Sequence, residues 1–94
     1  MKERSAAAGF LAEEIARLRR MSYGELCKFL GAPEAHVRVG PAGTRFNLVV
    51  EAFWDNREGE DLRVMCVIDD GGLSWVIPKS RDFIMSPDGS FVGE

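Results

Sequence analysis

Hydrophobic positions along the chain change their period once, near residue 37, from helical to alternating. Before that point Ala7, Leu11, Ile15 and Leu18 recur at three- and four-residue spacing, with Phe10 and Met21 widening the stripe. This predicts an amphipathic helix over 5–20, with Ser5 as its N-cap. Glu13 and Arg17 stand four apart in the favourable order, and Arg17, Arg19 and Arg20 suit the negative end of the helix dipole. Ser22 and Glu25 then form the S-x-x-E pattern of a capping box, in which each residue satisfies the other's free backbone donor. Tyr23, Leu26, Cys27 and Leu30 line one face behind it, and Phe29 broadens that face. Gly31 suits a left-handed helix stop and Pro33 prevents resumption, so the second helix is expected over 23–30.

Alternation marks the rest. Phe46, Leu48, Val50, Ala52 and Trp54 share one side of an expected strand at 45–54. Leu62, Val64, Cys66 and Ile68 do the same at 62–68. Further short strands are expected at 73–77, stopped by Pro78, and at 82–86 and 90–92. Val37–Val39 either joins the sheet or belongs to a loop. The turns are Gly40-Pro41-Ala42-Gly43, the polar run Asp55–Asp61, Asp69-Asp70-Gly71-Gly72 and Ser86-Pro87-Asp88-Gly89. Short links favour antiparallel neighbours. The expected fold is one α+β domain over residues 1–94, with two N-terminal helices packed on one face of a four- to five-stranded antiparallel meander sheet.

The opposite strand face is the unusual feature. A sheet covered by helices on one side should be polar on the other. Here that other set contains Val49, Phe53, Met65, Val67, Val76 and Ile84, relieved by Asn47, Glu51, Arg63 and Ser74. Glu51 is flanked by Val49 and Phe53, and Arg63 on the next strand is its expected partner. The candidate interface is therefore Val49, Glu51, Phe53, Arg63, Met65, Val67, Val76 and Ile84. Sequestering about 400 Å² of such surface is worth on the order of 10 kcal/mol before association costs of similar size. Three outcomes are open: a second protein molecule on this face, the chain's own segment Phe83–Val92 folded back over it, or a sheet that curls.

Composition narrows the function without naming it. The 94 residues carry a formal charge of −3, which argues against a nucleic-acid partner. Residues 1–47 hold eight Lys/Arg and five Asp/Glu, net +3, whereas residues 48–94 hold four and ten, net −6. Cys27 and Cys66 each sit in an apolar stretch and read as free thiols packed like small hydrophobes. No apolar run reaches a membrane span, and Glu13 and Glu14 interrupt what a signal peptide would need, so a soluble, cytoplasmic protein is expected.

Catalytic and ligand signatures are weak. His36 is the single histidine, read as a loop residue beside Arg38 with no second ligand at metal spacing. Gly40–Thr44 has a phosphate loop's glycines without its lysine. Ser74, Ser80, Ser86 and Ser90 lack a nucleophile motif, and Asp69-Asp70-Gly71 lacks the alternating oxygens of a calcium loop. Trp54 and Trp75, with Phe46, read as core before they read as a ligand pocket. No catalytic residue, metal or cofactor is assigned.

The run Tyr23–Pro33, followed by strands and an Asp-Asp-Gly-Gly turn, loosely resembles the two-helix, three-strand domains of bacterial outer-membrane assembly lipoproteins. The likeness spans about half the chain and rests on a generic helix stop. No family is assigned on it. The leading expectation is a non-catalytic protein-interaction domain that self-associates as a homodimer through the sheet face. The alternatives are an acidic inhibitor or immunity-type protein masking a basic partner, and a small-ligand binder near Trp54 and Trp75.

Overall fold

The computed structural model describes residues 2–69 and 79–94. Helix α1 runs Lys2–Arg19, a single turn α2 spans Tyr23–Leu26, and a 3₁₀ turn Cys27–Phe29 continues it. Strands β1 (Glu34–Val39), β2 (Arg45–Trp54), β3 (Leu62–Asp69) and β4 (Lys79–Met85) form one antiparallel sheet in the order β1-β2-β3-β4. The fold is α+β, helices first and then a four-stranded meander.

Several boundaries differ from expectation for identifiable reasons. Helix α1 begins at Lys2, which makes Ser5 an interior residue and not its cap. The second helix is a capped α turn that tightens into 3₁₀ geometry. Its capping box is intact, with the Ser22 amide donating to Glu25 Oε1 at 2.8 Å and the Glu25 amide donating to Ser22 Oγ at 3.1 Å. Gly31 stops it at φ +67°, a conformation that costs a Cβ-bearing residue more. The uncertain segment around Val37 is a full six-residue strand, and His36 lies within it rather than in a loop. The last expected strand reduces to one bridge, Met85 to Phe91, closed by the Ser86–Ser90 turn. The strand expected at 73–77, with Trp75 and Val76, lies outside the described residues.

The core sits between α1 and the inner sheet face. Leu11, Ile15 and Leu18 from the helix, with Leu26 and Phe29, meet Phe46, Leu48, Val50 and Ala52 of β2. Leu62, Val64, Cys66 and Ile68 of β3 and Phe83 and Met85 of β4 complete it. The alternation of buried and half-buried positions along β3 is unbroken, so its register is fixed by burial.

Ion pairs tie α1 to the sheet's edges. Arg17 takes Glu14 at 2.5 Å in place of the expected Glu13, because Glu14 faces β1 and is nearly buried. Glu13 is left to Arg38 at 2.9 Å, whose guanidinium also lies over the Phe10 ring. At the far end Arg19 binds the Glu94 carboxylate at 2.5 and 2.7 Å and stacks over Phe91. Each exposed pair contributes under about 1 kcal/mol, and docking is driven by the apolar stripe. Replacing Leu18, the most buried residue of that stripe, should therefore dominate any stability series. Leu18→Ala is expected to cost about 2–5 kcal/mol in urea unfolding. A loss below about 1 kcal/mol would show that α1 is not docked as described.

Candidate interaction surface

The pairing register places the predicted residues on one lattice. Val49 faces Val67, Glu51 faces Met65, and Phe53 faces Arg63 across β2–β3. Arg63 faces Ile84 and Met65 faces Asp82 across β3–β4. On the other side Ala35 faces Val49 and Val37 faces Asn47. Seven of the eight expected residues thus share the outer face, and Val76 lies outside the described residues. Val37, Val49, Met65 and Ile84 form a diagonal apolar stripe across all four strands. Strands about 4.8 Å apart and same-face residues about 7 Å apart make that stripe about 25 Å long.

The sequence reading missed part of this surface. Val37 is 49% exposed and Val39 59%, and both join through β1, whose polar alternate residues had obscured it. Val92 is 39% exposed and donates its amide to the Ile84 carbonyl at 2.8 Å, extending the row that holds Phe53, itself 39% exposed. The signal was present as the alternation Ala35, Val37, Val39, but the intervening Glu34, His36 and Arg38 resemble a loop.

Val92's neighbour Phe91 turns the other way. Phe91 packs edge-on against Phe83 of the inner face, with ring centroids 5.7 Å apart, beneath Arg19. Phe91 thus joins the core margin. Among the described residues the helices and Phe91 all lie on the inner side of the sheet.

Polar chemistry on the outer face differs from expectation in one respect. Arg63 does not pair with Glu51. It donates to Asp55 at 2.8 and 3.1 Å and to Asp82, and Asp55 is its leading contact, holding the guanidinium more firmly protonated. The reason is register: Glu51 opposes Met65, a diagonal step from Arg63, while the hairpin end carries Asp55 into reach. Arg63 is thereby fixed between two carboxylates beside Phe53 and Ile84.

Other candidate chemistry disperses. His36 Nε2 lies 2.7 Å from Glu34 Oε1 and 3.8 Å from Glu14, beside Arg17, in a mixed ion cluster at the edge of α1. Among the described residues no group of three or more His, Cys, Asp or Glu is arranged to hold a metal ion. The glycine turn at 40–44 is a hairpin, with the Gly40 amide donating to Thr44 at 2.8 Å. Trp54 packs against the core. An open cleft of about 400 Å³ lies elsewhere, between Tyr23, Met85 and Phe91, with Arg19 and Asp88 at its wall. Asp88 accepts from Ser86 and Ser90, which holds its carboxyl down at about 2. No described helix is long and apolar enough to cross a membrane. No family model, curated protein or solved structure matches the chain.

Both thiols are free. Burial, followed by the nearby Glu14 carboxylate, pushes Cys66 up to about 11, and burial alone raises half-buried Cys27. Neither is an activated nucleophile at neutral pH. A disulfide-exchange reagent at neutral pH should label Cys27 slowly and Cys66 only on unfolding. Rapid labelling of Cys66 in the native protein would contradict this packing.

Proposed function

We propose that the chain is a non-catalytic protein-interaction domain, acting in the cytoplasm, that self-associates through the outer face of its sheet. The observation that carries this reading is the apolar diagonal Val37–Val49–Met65–Ile84, opposite a helical layer that serves only the inner face. Burial of such a stripe is favourable in proportion to its area, and a self-complementary patch closes as a two-fold pair. Two sheets stacked about 10 Å apart would interdigitate Val49, Met65 and Val67 from each copy. Phe53 adds an exposed aromatic ring at the hairpin end of that surface. The Arg63 pairing with Asp55 and Asp82 belongs at the rim, where its charges keep water. Two unactivated thiols fit a reducing compartment.

The acidic half of the chain supports a second reading, masking of a basic protein, because Glu51, Asp55, Asp69 and Asp82 lie on or beside the same face. The two readings separate by experiment. Under self-association, Phe53→Glu and Val67→Glu each halve the light-scattering mass at fixed concentration, with an unchanged circular dichroism spectrum. A mass identical to wild type in both variants would count against it. One-to-one, salt-sensitive capture of a basic protein, abolished by Glu51→Lys, would favour the masking reading.

A further inference from the structure

The two edges of the sheet are finished differently. Strand β4 ends in a turn whose Phe91 bridges back to Met85, and the outer-face positions of its other half are polar, Ser80 and the charged Asp82. Charges and a covering segment are how sheets avoid adding a further strand. Among the described residues no segment covers the edge of β1, and its outer-face positions are uncharged. Ala35, Val37 and Val39 face outward there, with no proline, lysine or bulge in six residues.

Its hydrogen-bonding groups can be placed. The Gly40–Thr44 bond makes that pair a bonded one, and antiparallel ladders alternate. Arg38, His36 and Glu34 therefore bond to β2, and the backbone groups of Ala35, Val37 and Val39 point away from it. We infer that a second copy of this chain adds antiparallel to β1, joining two sheets into one of eight strands.

Charge complementarity selects the register. A two-fold axis at His36 sets Glu34 opposite Arg38 of the second copy at both ends of the contact. Ala35 then meets Val37 on the outer side. Shifting the axis to Val37 would put Arg38 opposite His36 of the second copy and leave Glu34 facing a glycine. The side chains of Glu34, His36 and Arg38 are 48%, 40% and 39% exposed, so each can reach a further partner beyond its contact with α1. The resulting sheet also doubles the outer apolar face. Four strands of about 20 Å length project about 400 Å², short of the roughly 800 Å² per partner of a standard interface, and eight strands reach it.

This inference stands on the edge and not on the face, and the test separates them. Ala35→Pro removes a donor only from the free side of β1, leaving the β1–β2 bonds and the apolar diagonal intact. With both contacts present, wild type scatters as four copies, Ala35→Pro as two, Val67→Glu as two and the double variant as one. A halved mass for Ala35→Pro alone supports the edge and overturns the face. An unchanged mass for Ala35→Pro, with native circular dichroism, overturns the edge whatever Val67→Glu does. Glu34→Arg keeps the backbone whole and sets like charges against Arg38 of the second copy. It is expected to weaken the edge contact about tenfold at low salt, and an unchanged dissociation constant would overturn the register.

Discussion

One constraint governs this molecule: a sheet has two faces, and the described helices all serve one. Leu11, Ile15 and Leu18 run along a single helix stripe and, with Leu26 and Phe29, cover the inner residues of β2, β3 and β4. That layer decides which alternate residues of each strand become core. It also decides which are left to face outward, among them Val49, Met65, Val67 and Ile84. The outer face is therefore a consequence of the architecture, and its apolar character is the one feature the architecture does not require.

Much of the fold was legible because the two hydrophobic periods are clean. The stripe of α1, the capping box at Ser22 and Glu25, and the inward sets of β2 and β3 all follow from spacing and local backbone chemistry. What escaped was set by tertiary contact. Strand β1 was only partly legible because its inward positions are Glu34, His36 and Arg38, which answer charges on α1 and not a greasy core. A strand whose inward side is ionic announces itself only by its outward alternation, here Ala35, Val37 and Val39, which the charged neighbours disguise. The choice of Glu14 over Glu13 by Arg17 likewise depends on which way the helix faces the sheet.

The candidate surface was legible as a set and not as a pattern. Parity alone grouped Val49, Glu51, Phe53, Arg63, Met65, Val67 and Ile84. Register turned that group into a diagonal and removed Glu51 from Arg63, which the hairpin instead delivers to Asp55 and Asp82. Register is invisible in one strand's sequence because it is fixed jointly by turn geometry and burial. Val92 entered the surface by a turn whose length only the backbone reveals.

The account turns on whether the outer diagonal meets another molecule. The most direct measurement is an isotope-filtered nuclear Overhauser experiment on a mixture of labelled and unlabelled protein, observed at the Met65 methyl. Cross-peaks to valine methyls and the Phe53 ring of the unlabelled copy are the predicted result. A Met65 methyl whose only neighbours belong to its own chain, at concentrations where the protein is fully folded, would contradict it.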